Sequence, residues 1–97
     1  MTKADILTIL KSDLDIAQTS TSKDGLFNNL IDLAQAAIIR EGITFSDPLT
    51  TEEGMLVEMY AAFLFRRRRD AAATMPHSLR YQLNNMLLSQ KGAIDEQ

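Results

Sequence analysis

The chain has no cysteine in its 97 residues. That excludes a disulfide framework, a cysteine-type zinc site and a thiol nucleophile, and it is compatible with an intracellular protein. Long apolar runs are missing as well. The opening stretch MTKADILTIL is interrupted by Asp5 and lacks the apolar region of a secretory signal. No apolar run approaches the ~20 residues that a membrane-spanning helix needs, so no membrane partner is expected. There is no internal repeat, Gly-rich phosphate loop, nucleophile elbow or zinc motif. His77 is the only histidine, and no spacing supplies it with a partner for proton transfer. Asp13 and Asp15 have no His or Cys beside them, and Glu52 and Glu53 sit where a helix start explains them. These absences predict a protein with no catalytic residues, metal, cofactor or small-molecule substrate.

What is present suits one small domain spanning residues 1–97. A domain of this length buries only ~60–65% of its unfolded surface, so its core is modest. The net charge of −3 is unevenly spread. Residues 1–65 hold four Lys/Arg against ten Asp/Glu, whereas residues 66–97 hold six Lys/Arg against Asp70, Asp95 and Glu96. An acidic body with a basic final third favours head-to-tail attraction between copies, or a local anionic partner.

Hydrophobic periodicity predicts an all-α fold, a bundle of about four helices. The first spans 3–13, with Thr2 as its cap and Asp5 near the positive end of its dipole. The second spans 23–40 and is closed by Gly42; Leu26, Phe27, Leu30, Ile31, Leu33, Ala34, Ala37 and Ile38 form its stripe. In the following link Ile43 and Phe45 alternate with polar residues, which allows a short extended piece. Thr50-x-x-Glu53 is a capping-box signature for a third helix over 51–69, with Gly54 weakening its first turn by ~1 kcal/mol. The fourth starts at Pro76 and runs to about Gln90, leaving a short polar tail over 91–97.

The third helix ends in the stretch FLFRRRRD. At ~100° per residue, Leu56, Tyr60, Phe63 and Arg67 share one line, the expected core stripe. Four successive arginines sweep most of a helix circumference, so Arg66, Arg67, Arg68 and Arg69 cannot form one flat basic face. At a helix C-terminus all four oppose the dipole favourably. Val57, Ala61, Ala62 and Phe65 occupy the other face, where Glu58 is nearly the only charge. A helix that is apolar all round is buried all round, and four short helices are not expected to enclose one of their own. Helix four repeats the feature, with Leu79, Leu83, Met86 and Leu87 inward and Tyr81 and Leu88 outward. Val57, Ala61, Phe65, Tyr81 and Leu88 are therefore the expected oligomer interface. On this reading, Phe65→Asp abolishes assembly and leaves the fold intact.

The run YAAFLFRRRRD…MPHSLRYQLNNMLLSQ resembles the tailed-bacteriophage head–tail connector family, also described as adaptor or phage DNA-packaging proteins. The resemblance implies a ring of about a dozen copies beneath the portal. It implies a structural role in a virion, or in the host cytoplasm during assembly, with no catalysis and no cofactor. The implied partners are other copies of the chain, the portal and tail-completion proteins, and DNA passing through without sequence recognition. Arg66, Arg67, Arg68, Arg69 and Arg80 are then the region that bridges subunits or faces the channel. The alternative is a small helical DNA-binding regulator that uses Arg66–Arg69 and the helix over 76–90, although the link DAAATM is longer than a helix–turn–helix allows.

Overall fold

The computed structural model describes residues 1–95. It holds four helices: α1 (Lys3–Asp13), α2 (Asp24–Arg40), α3 (Thr51–Arg69) and α4 (His77–Asp95). Two helix starts are fixed by reciprocal capping. Thr2 Oγ1 accepts from the Asp5 backbone N–H while the Asp5 carboxylate accepts from that of Thr2. Thr50 and Glu53 do the same for α3. Gly42 closes α2 with φ +107°, a conformation that a residue with a Cβ rarely adopts. Helix α4 continues through Gly92 to Asp95, beyond the expected stop at Gln90. A glycine alone costs a helix about 1 kcal/mol and does not end it unless something satisfies the freed carbonyls. Glu96 and Gln97, the last residues of the expected tail, lie outside the described residues.

Helix α3 packs against each of the other three. Met1 lies over Gly54 at the start of α3, and Arg66 meets Asp13 near its end, so α1 and α3 run parallel. Phe27, near the start of α2, meets Phe65 edge-on with ring centroids 5.4 Å apart, so α2 runs the other way. Asn85, Met86 and Gln90 of α4 line a depression with Thr50 and Glu52, so α4 is also antiparallel to α3. Gly54 leaves room for the Met1 side chain over the start of α3: a Cβ there would lie 2.9 Å from Met1 Cγ, so that flexible side chain would have to shift.

The core comprises Ile6 and Leu10 of α1, five residues of α2, Ile43 of the loop after α2, Leu79 and Leu83 of α4, and both sides of α3. Leu56 and Phe63 are buried as the periodicity expects, but so are Val57, Ala61, Ala62 and Phe65. The expectation that Val57, Ala61 and Phe65 meet another chain is therefore corrected. α1 and α2 cover that face, and Phe65 is 8% exposed in the isolated chain. Small residues at 54, 61 and 62 let neighbouring backbones come close, which is how three short helices enclose a fourth. Leu33, expected on the α2 stripe, is instead exposed, as is Ile39. No strand forms among the described residues; the expected extended piece is a loop whose Thr44 backbone pairs with a side chain, donating to Gln90 Oε1 at 2.9 Å and accepting from its Nε2 at 2.8 Å. Among the described residues no helix is long and apolar enough to cross a membrane.

The corrected position of Phe65 reverses one expectation. Phe65→Asp places a charge between Phe27 and Ala62 and is expected to cost more than about 3 kcal/mol, unfolding the chain. Urea denaturation followed by circular dichroism checks this, with Leu33→Ala as the exposed control expected to stay within about 0.5 kcal/mol of the parent.

Candidate functional site

Three helix ends converge where α3 finishes: the C-terminus of α1, the N-terminus of α2 and the arginine run. The loop between α1 and α2 is wrapped around a buried lysine. Lys11 Nζ lies 2.6 Å from Asp24 Oδ1 and donates to the carbonyls of Ser20 at 2.8 Å and Gln18 at 3.4 Å. With its charge paired and its protons directed at acceptors, the ammonium tolerates near-complete burial. Asp15 leaves α1 at φ +58°, a conformation that Asp tolerates better than most residues.

Beside this loop stands Glu58, 3% exposed on the face of α3 covered by α1. Burial pushes its carboxyl up to about 8, the adjoining Asp13 carboxylate adds to the rise, and Arg66 opposes it. Near neutral pH Glu58 is therefore mostly protonated. A neutral Glu58 can donate to Asp13, which leaves Asp13 to hold the negative charge facing Arg66 Nη2 at 3.6 Å. Glu58 Oε2 has no hydrogen-bond partner. A second buried carboxylate, Glu53, behaves differently. Burial alone would raise it, but bonds from Thr50 and Ser46 outweigh that and hold it below the ordinary carboxylate range.

The arginines do not share one role. Arg66 pairs with Asp13. The Arg69 guanidinium lies over the Phe65 ring, 5.9 Å from its centroid, and Lys23 Nζ lies at the same distance from that ring. Contacts of this kind contribute about 0.5–1 kcal/mol at exposed sites. Arg80, expected to bridge subunits or face a channel, grips Glu41 of its own chain in two bonds of 2.7 and 3.1 Å. That fork raises the Arg80 pKa further and fastens α4 to the end of α2. Arg67 and Arg68 are exposed and make no ion pair among the described residues. Arg67 thus projects into solvent rather than ending the core stripe. A shallow cleft of about 390 Å³ opens between Asp13, Leu14, Asp15, Phe65, Arg66 and Arg69, with charges of both signs on its rim.

Of the expected interface residues, only Tyr81 and Leu88 remain on the surface, 68% and 64% exposed. His77 is exposed at the start of α4. Among the described residues no group of three or more His, Cys, Asp or Glu is placed to hold a metal ion. Two features escaped the sequence reading. Lys11 interrupts the apolar line of Leu7 and Leu14, and Glu58 interrupts that of Gly54, Ala61 and Phe65. A charge on an otherwise apolar line was the available signal in both cases.

The Glu58 carboxyl titrates about 8 in the folded chain, against an ordinary value of 4.5. Between those limits folding takes up a proton, so its contribution to stability is complete below about pH 4.5 and is lost as pH rises toward 8. Glu58→Gln keeps the shape and a donor without the charge. It is expected to leave stability unchanged near pH 4.5, to raise it by about 1–3 kcal/mol at pH 8, and to flatten the profile between. Thermal melts across that range check the sign. A scan against family models, a search of curated proteins and a search of solved structures match nothing to this chain.

Proposed function

We propose that the chain is a non-catalytic assembly subunit of the head–tail connector type, acting as one member of an oligomeric ring at the portal vertex through which DNA passes. The observation that carries this reading is the division among the arginines. Arg66, Arg69 and Arg80 are engaged within the chain, while Arg67 and Arg68 are exposed at the end of α3 without an ion-pair partner among the described residues. Exposed arginines at a fixed position provide orientation toward an acidic protein surface or a phosphate backbone. The resemblance noted across Tyr60–Leu88 supplies the kind of assembly.

Burial of Val57, Ala61 and Phe65 leaves the exposed face of α4, with Tyr81 and Leu88, as the surface for contact with a neighbouring copy. The DNA-regulator alternative draws less support, because Arg80, one of the three residues with Ser78 and Gln82 that the start of α4 could offer to bases, is occupied by Glu41.

The double variant Arg67→Gln/Arg68→Gln is expected to keep its helicity and to lose no more than about 1–2 kcal/mol of stability, the contribution of two exposed charges at the helix end. Its incorporation into complexes with a portal protein is expected to fall at least tenfold, a loss of about 1.4 kcal/mol. Co-sedimentation and negative-stain microscopy provide the measurement, and parent-level incorporation would remove the arginine pair from the interface. Titration of free duplex DNA separates the alternative: a regulator binds it alone, with affinity falling steeply as salt rises.

A further inference from the structure

Helix α3 carries Glu58 into the interior, and few groups there can receive it. The side chain is buried, and its Oε2 has no hydrogen-bond partner among the described residues. The group that Glu58 does meet is a second carboxyl, Asp13 at the end of α1. Asp13 in turn faces Arg66 Nη2 at 3.6 Å. Asp13 thus stands between a buried acid and a cation, and the three differ in freedom. Glu58 is fixed on an enclosed helix, whereas the side chains of Asp13 and Arg66 are 39% and 50% exposed and can move. Other charges on this side are committed or turned away. Lys11 of α1 is paired with Asp24 of α2, Lys23 lies against Phe65, and Asp15 is exposed in the loop after α1. Helix α4 adds no charge to these surroundings among the described residues.

We propose that a proton on Glu58 decides which carboxylate Arg66 holds, so that the three side chains form a pH-operated tie between α3 and α1. With the proton in place, Glu58 donates to Asp13 while Arg66 faces Asp13, and both contacts join the two helices. When the proton leaves to water, two anions adjoin at a buried site, which is costly unless a cation offsets them. Arg66 is the cation that acts on Glu58. It is one carboxyl group away, and half of its side chain is free to swing inward. Both residues belong to α3, so their pair is internal to that helix and joins it to no other.

Asp13 yields because it is the exposed member. Repelled by Glu58 and released by Arg66, it turns to water. It sits at the C-terminus of α1, where the helix dipole already disfavours an anion, so the last turn of α1 loses its hold on α3. The opening stays local. Further along the loop Lys11 holds the Gln18 and Ser20 carbonyls, and the Gln18 amide donates to the Thr8 carbonyl. Burial raises the Glu58 carboxyl to about 8, which places the exchange near neutral pH, where both arrangements are populated. The device goes beyond the connector reading and needs neither a ring nor DNA.

Carbon-13 NMR of the full chain observes the Glu58 carboxyl and the Arg66 Cζ together. Both signals are expected to move in one step with a midpoint near pH 8. Across that step circular dichroism is expected to stay constant. The amides of Leu14 and Asp15, which bond to the Leu10 and Ser12 carbonyls and close α1, are expected to exchange with water at least about threefold faster after correction for base catalysis, the size of one exposed ion pair. Glu58→Gln is expected to abolish the Arg66 step and the change in exchange. Asp13→Asn separates a transfer of partner from simple repulsion. It is expected to lower the Glu58 midpoint by about one unit or more, to displace the Arg66 signal well below the step, and to leave it at the parent position well above, where Arg66 has already left residue 13. A Glu58 midpoint near the ordinary 4.5, an Arg66 signal that ignores the Glu58 step, equal quickening of Leu14 and Asp15 in Glu58→Gln, or loss of helicity across the whole chain at that step would each overturn the proposal.

Discussion

The burial of α3 on nearly every side is the constraint on which the rest of the structure depends. A helix in that position must shed side-chain volume where neighbours approach, and it does so at Gly54, Ala61 and Ala62. It must also accommodate the polar groups it carries inward. Glu53 does so by accepting hydrogen bonds from Thr50 and Ser46, which holds the 43–49 loop across the start of the helix. Glu58 has too few donors for that and instead takes up a proton. Two carboxyl groups five residues apart on one helix thus end in opposite states, and the number of hydrogen-bond donors around each decides which.

The same economy governs the cations. Lys11 is buried because a carboxylate and two carbonyls receive it. Arg80 is spent on joining α4 to α2, which matters because among the described residues α4 has only a single apolar line, Leu79 and Leu83 with Met86 and Leu87, facing the bundle. The bidentate Glu41 fork near its start and the Gln90–Thr44 pair near its end hold the helix at two points about ten residues apart. An α4 fixed in this way presents its outer face at a constant angle, a condition for any specific contact there.

Much of the fold was legible in local chemistry. Capping residues fixed the starts of α1 and α3, Gly42 fixed the end of α2, and the apolar lines of α2 and α4 named most of the core. What failed was the count of faces around α3. Periodicity reports that a residue is apolar, but not whether its cover comes from the same chain or from another. The expectation that a neighbour covers Val57, Ala61 and Phe65 rests on four helices being unable to enclose one, and the small residues beside them refute that assumption. Leu33 failed in the opposite direction: its apolar neighbours on α2 suggested burial, yet at that angle no other element reaches it. The candidate site was half legible. The arginine run was conspicuous, but its partition among Asp13, Phe65 and solvent depends on where α1 ends, and no local pattern carries that information.

Burial of the α3 face also sharpens the question of assembly. Had Phe65 been exposed, any association would have shared its apolar surface between two helices, and a change at either would have disturbed fold and contact together. With α3 enclosed, the exposed apolar pair on α4 and the unpaired arginines on α3 are separate from the core and from each other. Arg67 and Arg68 can be altered without touching a buried side chain, and the same holds for Tyr81 and Leu88. Under the proposed assembly role, these two features, one charged at a helix end and one uncharged along a helix flank, suit partners of different chemistry: an acidic surface or phosphate backbone for the first, and an apolar surface for the second.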